Sequence, residues 1–105
     1  MSQEIVGLVI TGTMEIAPED RQKFAALVQQ NVAQTVGKPG CIYCAFAADV
    51  SNPSLFHNIE AWTNREALDT HLQSEMMQTA FAEVKKLRVL SRDVTVFTVS
   101  GSSKL

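Results

Sequence analysis

The spacing of apolar residues along this chain changes between two periods, and this feature constrains the fold more than any other. Apolar residues recur at every second position, as in β-strands, in four segments: residues 4–16, 42–50, 55–62 and 94–99. They recur at every third or fourth position, as on amphipathic helices, in residues 18–36 and 63–87. The predicted order is strand, helix, strand, strand, a pair of helices, and strand.

This order predicts an α+β domain with the ferredoxin-like βαββαβ arrangement and an antiparallel sheet. The first and third strands are central in that sheet, and the helices cover only one of its faces. The other face carries Val9, Ile59 and Ala61 or their neighbours, depending on register, and would be an unusually large apolar patch if left open. We therefore expect a homodimer in which two sheet faces pack together.

Turn and capping residues predict where these elements begin and end. Pro18 suits the first position of the first helix, and residues 37–40 (Gly-Lys-Pro-Gly) end it. Residues 51–54 (Ser-Asn-Pro-Ser) predict the turn of a hairpin between the second and third strands. Residues 63–66 (Thr-Asn-Arg-Glu) form a capping box in which the threonine hydroxyl caps the next helix. Residues 91–93 predict a turn before the last strand.

Length and charge narrow the classes of function. The chain of 105 residues is expected to be one domain, residues 1–105, with a core over about residues 4–99 and a loose C-terminal tail. Its net charge is −2, and it has no basic stripe of the kind that binds nucleic acid. No apolar run approaches the roughly 18 residues that span a membrane, and residues 1–4 lack a basic leader. We expect a cytoplasmic protein with no membrane or nucleic-acid partner.

Cys41 and Cys44 form a C-x-x-C motif, which in other settings signals a redox or metal site. Here the motif opens a predicted strand, where residues i and i+3 point to opposite faces, so the two sulfurs are predicted to diverge. We interpret both as reduced structural cysteines. His57 and His71 lie on different predicted elements, which also disfavours a metal site, and no glycine-rich nucleotide fingerprint is present.

The third predicted strand mixes polar and aromatic groups on one face. Alternation places Phe56, Asn58, Glu60 and Trp62 on that face. A pure core face would not need an amide, a carboxylate and an indole, because a buried polar group costs free energy unless it is hydrogen-bonded. Asn58, Trp62 and His71 are predicted to converge on one cavity between the helices and the sheet. The predicted lining of this cavity also includes Phe24, Phe46, Glu60, Met77 and Phe81.

Each of these residues also has a structural interpretation. His71 is alternatively a satisfied core histidine, and Trp62 is alternatively a core residue at a strand end. Asn58 alone would be a hydrogen-bonded strand residue, and Glu60 would pair with an arginine in the fold or at a dimer contact. The residues by themselves leave both interpretations open.

Residues 59–72 resemble the antibiotic biosynthesis monooxygenase family. The family pattern there is a strand that ends in E-x-W, here Glu60 to Trp62, and then a capped helix with a histidine, here His71. The resemblance extends over about residues 4–99, mostly as the order of elements. It implies the fold and assembly of a dimeric α/β barrel.

The resemblance also implies a function without a metal or flavin cofactor. Some family members oxidise small phenols, anthrones or quinols with dioxygen, and their pocket holds an asparagine and a tryptophan at the spacing of Asn58 and Trp62. His71 matches the helix histidine of small quinol-oxidising members. The phenol oxidisers also use a tyrosine and an arginine on the following helices, for which this chain offers Leu68 and no arginine before Arg88 that could replace the family's.

The resulting hypothesis is a cofactor-independent monooxygenase that acts on a small aromatic quinol or anthrone. His71, or a water that it holds, would take a phenolic proton, and the phenolate would reduce dioxygen by one electron before the radical pair combines. Asn58 and the Trp62 indole N–H would stabilise the developing oxyanion. The alternatives are a non-oxidative enzyme that degrades or isomerises a hydroxyketone or aldehyde, a ligand-binding dimer, and a dimerisation module. A filled cavity around Trp62 and His71 would favour the last of these.

Overall fold

Four strands and three α-helices follow one another in the predicted order in the computed structural model, which describes residues 5–105. The strands are β1 (Leu8–Ile16), β2 (Cys41–Asp49), β3 (Asn52–Trp62) and β4 (Val89–Thr98). The helices are α1 (Arg21–Thr35), α2 (Arg65–Leu72) and α3 (Glu75–Lys85), and a short 3-10 helix, Pro18–Asp20, precedes α1. The α+β class and the βαββαβ order are confirmed.

The strands form one antiparallel sheet in the order β2-β3-β1-β4, so the first and third strands are central, as predicted. In the β1–β3 ladder, Gly12 lies opposite Asn58 and Leu8 lies opposite Trp62. In the β2–β3 ladder, Phe46 lies opposite Asn58. Side chains directly opposite each other in a ladder share a face. The face that carries Asn58 and Trp62 therefore also carries Leu8 and Phe46.

The helices cover one face of the sheet, and the buried core beneath them divides into two clusters. The first cluster consists of Leu8, Ile10, Trp62 and Leu68. The second cluster consists of Ile16, Phe24 and Phe56. Burying one large apolar side chain stabilises a fold by about 1.5–3 kcal/mol. The two clusters therefore hold the helices on the sheet at two separate places.

The opposite face of the sheet, which we call the open face, is not covered by any helix of residues 5–105. Its large side chains Tyr43, Ile59 and Phe97 are 52%, 44% and 51% exposed, respectively. A groove of about 540 Å³ crosses this face, and its lining includes Thr11, Ala45, His57 and Thr95. An apolar open face is thus present, and its burial by a second copy stays a prediction.

Two predicted boundaries are wrong because longer-range hydrogen bonds and cap geometry outweigh local turn signals. The Asn64 side chain, rather than the Thr63 hydroxyl, caps α2 by accepting a hydrogen bond from the Ala67 backbone N–H at 2.8 Å. Residues 91–93, predicted as a turn, lie inside β4 and pair with β1. The ladder along β1 supplies hydrogen bonds that a turn would forgo.

Other element ends shift by a few residues. The hairpin turn predicted over residues 51–54 is tighter, because β3 already begins at Asn52 and the turn is Val50-Ser51. The predicted first strand starts at Glu4, which lies outside the described residues, and β1 itself begins at Leu8. Shifts of this size are usual, since helix and strand ends fray.

A bulge at the start of β2 overturns the prediction that Cys41 and Cys44 point to opposite faces. The β2–β3 register shifts between Cys41 and Tyr43, so Cys41 lies opposite Trp62 and Cys44 lies opposite Glu60. Trp62 and Glu60 share the helix-facing side of β3, and both cysteines therefore share it too. An extra residue in one strand reverses the parity of every position beyond it.

The segment after β4 lies beyond the sheet. Residues 101–105 are exposed and have no regular secondary structure. Among the helices of residues 5–105, the longest is α1 with 15 residues, and none of them is long and apolar enough to cross a bilayer.

Candidate functional site

Polar side chains interrupt the core between its two clusters. Asn58 and Glu60 lie on the helix-facing side of β3, and both are partly buried. Their cross-strand neighbours on β1 are Gly12 and Ile10, respectively, and Phe46 lies beside Asn58 on β2. An amide and a carboxylate thus occupy the middle of a face whose two ends are apolar.

The Glu60 carboxylate accepts a hydrogen bond on each of its oxygens. The Trp62 indole nitrogen donates to Oε1 at 2.9 Å, and the Asn58 amide nitrogen donates to Oε2 at 3.2 Å. Residues two apart on a strand point the same way, so three alternate positions can bond side by side. Two uncharged N–H donors, rather than an arginine, hold this carboxylate in one orientation.

Burial determines the protonation chemistry of Glu60. Desolvation raises the pKa of its carboxyl above the ordinary value, and the hydrogen bonds from Trp62 and Asn58 oppose that rise without cancelling it. Carboxyls with a raised pKa are typical of catalytic sites, because they are stronger bases than exposed carboxylates. Glu60 therefore combines a defined orientation with raised basicity.

Gly12 makes room for the Asn58 side chain at the centre of the sheet. A Cβ on Gly12 would lie 2.8 Å from Asn58 Oδ1, 2.7 Å from Val94 Cγ2 and 2.9 Å from the Asp93 carbonyl oxygen. These separations fall well inside the roughly 3.5–4.0 Å at which carbon atoms make favourable contacts. The missing side chain lets the Asn58 amide lie across β1 with its nitrogen directed to Glu60.

The His71 imidazole lies against the Trp62 ring. The ring centroids are 4.8 Å apart, and the ring planes are inclined by 32°. His71 is 4% exposed and Trp62 is fully buried, so the two rings fill the space between them. Burial, and then the neighbouring Lys38 ammonium, lowers the pKa of His71 to about 4. The imidazole is therefore neutral at neutral pH.

Lys38 connects His71 to the start of α3 and was not among the residues predicted for the site. Its Nζ lies 3.1 Å from His71 Nδ1 and 3.3 Å from Ser74 Oγ. Ser74 Oγ donates to the His71 carbonyl oxygen at 2.7 Å and caps α3 by accepting from the Met77 backbone N–H. Since 33 positions separate Lys38 from His71, no local spacing pattern reveals this contact.

A tight turn brings Lys38 to this place. Gly37 and Gly40 have φ angles of 96° and 84°, which glycine adopts readily and other residues rarely adopt. A Cβ on Gly40 would collide with the Ala67 Cβ, so the turn rests directly on α2. This close approach places Lys38 beside the last turn of α2, where His71 lies.

The predicted aromatic lining belongs mainly to the second core cluster. Phe46 lies beside Asn58 on the neighbouring strand, but its ring meets the edge of Phe24 at a centroid distance of 6.2 Å. Phe24 is buried, and its ring also contacts Phe56 at 4.8 Å. The structure therefore brings Phe46 next to the polar pair, whereas Phe24 packs in the core beneath α1.

The side chains of Met77, Phe81 and Val96 differ in how far solvent reaches them. Met77 is buried, and its sulfur accepts a hydrogen bond from Asn31 Nδ2 at 3.2 Å. Phe81 follows Met77 by about one turn on the same side of α3, yet it is 40% exposed. Val96 of β4, opposite Ile10 on the helix-facing side, is also 40% exposed. Phe81 and Val96 therefore remain partly open to solvent, whereas Met77 is packed inside the helix layer.

Cys44 lies beside Glu60 but lacks the features of a reactive thiol. Burial raises its pKa to about 12, and the Glu60 and Cys41 charges add to the effect. A thiol with such a pKa stays protonated at neutral pH and is a poor nucleophile. Within residues 5–105, no three histidine, cysteine, aspartate or glutamate side chains form a group that could hold a metal ion.

Known proteins resemble this chain in sequence and in fold. The sequence profile of the antibiotic biosynthesis monooxygenase family matches residues 7–83. An uncharacterised protein from Synechocystis is 26% identical over 98 residues, which cover 93% of this chain and 67% of that protein.

Solved structures show the same fold at low sequence identity. A proposed antibiotic biosynthesis monooxygenase from Deinococcus radiodurans has a TM-score of 0.87 and 23% identity, covering 93% of this chain and 97% of that one. A Mycobacterium tuberculosis protein has a TM-score of 0.83 and 21% identity, covering 92% and 98% of the two chains, respectively. At these identities the likeness is one of fold.

Proposed function

The chain belongs to the antibiotic biosynthesis monooxygenase family, and we propose that it is a cofactor-independent monooxygenase that oxidises a small aromatic quinol or anthrone with dioxygen. The observation that carries this proposal is the Glu60 carboxylate, which Trp62 and Asn58 hold on both oxygens at a partly buried position between the two core clusters. The substrate itself supplies the electrons for such a reaction, so the protein has to supply only an oriented base in an apolar setting.

In this proposal Glu60 takes the proton that the sequence-based hypothesis assigned to His71. The lone pair of His71 Nδ1 faces the Lys38 ammonium at 3.1 Å, and the pKa of His71 is about 4. Such an imidazole is a weak proton acceptor at neutral pH. The pKa of Glu60 is raised, and its side chain is only partly buried. A base works best when its pKa approaches the working pH, which favours Glu60.

The proposed reaction begins when Glu60 accepts a proton from an acidic C–H or O–H group of the substrate, leaving a carbanion or phenolate. This anion transfers one electron to dioxygen, and the substrate radical and superoxide combine to form a C–O bond. The peroxide anion takes the proton back from Glu60, and water is eliminated across its C–H and O–O bonds to leave a carbonyl. For an anthrone, the net change converts CH2 and O2 into C=O and H2O.

Asn58 and Trp62 orient the base and stabilise charge in this proposal. The Asn58 amide carries a second N–H beside the one that bonds Glu60, and it can donate to a substrate oxyanion. Donors that are already oriented in a partly desolvated site stabilise developing charge without reorganisation. Trp62 keeps its N–H on Glu60, while Phe46, which lies beside Asn58 on β2, contributes apolar surface near the substrate.

We also propose that two copies pack through the open face. Tyr43, Ile59 and Phe97 are about half exposed there, and apolar patches of this kind are uncommon on monomers. Burial of each such side chain stabilises an interface by up to about 1.5–3 kcal/mol. Two twisted sheets that pack face to face would form the barrel that the family resemblance implies.

A second candidate function is ligand binding or dimerisation without catalysis. The packing of Trp62 against His71 at 4.8 Å favours it, because a site filled by its own side chains suits a structural role. A non-oxidative enzyme for a hydroxyketone or aldehyde is a third candidate, in which Glu60 would act as a base without dioxygen. The three candidates differ in what happens at the partly buried side chains Asn58 and Glu60.

Oxygen uptake by the purified, metal-stripped protein with a panel of anthrones and hydroquinones tests the proposal. Uptake above the spontaneous rate that is lost in Glu60→Gln and kept in Glu66→Gln, an exposed carboxylate on α2, would support it. Binding of these compounds without oxygen uptake would favour the ligand-binding candidate. Conversion of hydroxyketones or aldehydes without oxygen uptake would favour the non-oxidative enzyme.

A further inference from the structure

The contact between Lys38 and His71 defines which nitrogen of the imidazole carries hydrogen. An ammonium group has three N–H donors and no lone pair, so Lys38 Nζ is the donor in its 3.1 Å contact with His71 Nδ1. His71 Nδ1 must then be the acceptor and must be unprotonated. A neutral imidazole with an unprotonated Nδ1 carries its hydrogen on Nε2.

A continuous series of contacts leads from this pair to the proposed base. The His71 ring packs against the Trp62 ring with the two centroids 4.8 Å apart. The Trp62 indole nitrogen in turn donates to Glu60 Oε1 at 2.9 Å. We infer that Lys38 is a positioning residue that holds His71 as the neutral Nε2–H tautomer against Trp62, so that the indole N–H stays on Glu60. This inference rests on the proposed function, since it concerns the orientation of the proposed base.

The groups that face His71 come from three elements. The turn before β2 supplies Lys38, whose charge adds to burial in lowering the pKa of His71. Strand β3 supplies the uncharged Trp62 ring, with the Glu60 carboxylate one hydrogen bond beyond it. The start of α3 supplies Ser74, which accepts from Lys38 and donates to the His71 carbonyl. Protonation of His71 would place an N–H on Nδ1 directly against the ammonium and break the contact.

Side-chain 1H–15N NMR of the substrate-free protein tests this assignment. The chain has two histidines and one tryptophan, so a His57→Gln background isolates the His71 signals, and Trp62 gives a single indole cross-peak. In the otherwise unchanged protein we expect the Nε2–H tautomer down to about pH 4. In Lys38→Met we expect mixed tautomers, a shifted indole cross-peak, and a His71 pKa that moves up towards the ordinary value of about 6.5.

Two further replacements separate charge from hydrogen bonding. Lys38→Arg keeps the charge and N–H donors, and it should restore the original tautomer and indole signal. Lys38→Gln keeps a donor without the charge, so the Nε2–H tautomer should persist while the pKa of His71 rises. An unchanged tautomer, pKa and indole signal in both Lys38→Met and Lys38→Gln would overturn the inference.

This measurement needs neither substrate nor activity, so its failure is distinguishable from failure of the proposed function. If Lys38→Met alters the His71 tautomer or pKa but the original protein takes up no oxygen, the oxygenase is rejected and the positioning contact is retained. If the original protein takes up oxygen but the His71 signals are unchanged in Lys38→Met, only the role of Lys38 is rejected. In an active protein, Lys38→Met should lower kcat more than KM changes, with rescue by Lys38→Arg.

Discussion

The Trp62 indole nitrogen donates to Glu60 Oε1 at 2.9 Å, and a single residue separates the two on β3. Alternate residues of a strand point to the same side, so the E-x-W spacing itself brings the indole and the carboxylate together. The second oxygen of Glu60 accepts from Asn58, two positions before it. The Glu60 carboxylate thus accepts a hydrogen bond on each oxygen, yet burial still raises its pKa.

Replacement of Glu60 by glutamine should abolish most oxygen uptake while it preserves the size of the side chain. We expect kcat to fall by about 10²–10⁴-fold, the range that a general base contributes. Glu66→Gln, on the exposed surface of α2, is the matched control and should keep the original rate. Equal rates in Glu60→Gln and the original protein would remove Glu60 from the mechanism.

Replacement of Trp62 by phenylalanine keeps an aromatic ring but removes the N–H that satisfies Glu60. We expect the free energy of unfolding at neutral pH to fall by about 1–3 kcal/mol, the cost of an unsatisfied buried group. Urea denaturation measures this change. The cost should be smaller in a Glu60→Gln background, because a neutral amide needs the donor less. Strictly additive effects of the two replacements would argue against a coupled Trp62–Glu60 bond.

His71 should make the protein less stable in acid. Its pKa is about 4 in the folded protein, against about 6.5 when unfolded, so the unfolded state binds more protons between these values. The lowered pKa of His71 contributes on the order of 3 kcal/mol to the free energy of unfolding. This contribution is complete above about pH 6.5 and is lost as the pH falls towards 4. Denaturation measured across this range should show a free energy of unfolding that rises with pH in the original protein and loses this pH dependence in His71→Gln. The same pH dependence in both proteins would contradict the assignment.

Replacement of Gly12 by alanine should displace Asn58 from Glu60. The new Cβ would lie 2.8 Å from Asn58 Oδ1 and 2.7 Å from Val94 Cγ2, and crowding of this kind costs about 1–3 kcal/mol. Thermal or urea denaturation measures the loss, and oxygen uptake should fall with it. Gly101→Ala is the control, because a Cβ there meets nothing within 4 Å. Matching behaviour of the two variants would show that Gly12 has no such role.

A charge on the open face should separate the proposed dimer. Ile59 is 44% exposed at the centre of that face, so Ile59→Lys would bury a charge in the interface. Light scattering should report twice the chain mass for the original protein and a single chain mass for the variant. Val50→Lys, at the fully exposed hairpin turn, is the control. A monomeric original protein would reject the proposed assembly.

Several features of the fold and the site follow from local patterns alone. The two apolar periods predicted the βαββαβ order, and they placed Phe56, Asn58, Glu60 and Trp62 on one face of β3, as the sheet register confirms. These predictions succeed because side-chain direction repeats every two residues on a strand and every 3.6 on a helix, whatever surrounds the element. The hydrogen bonds of Glu60 follow from the same short-range geometry.

The tertiary structure alone decided the rest. The bulge that turns Cys41 to the face of Cys44 depends on how β2 meets β3, and the contact of Lys38 with His71 joins residues 33 positions apart. The shifted pKa values of Glu60 and His71 depend on burial, which the spacing of residues along the sequence does not reveal. Local sequence determines which way a side chain points, whereas its neighbours and its access to water depend on segments that only the folded chain brings together.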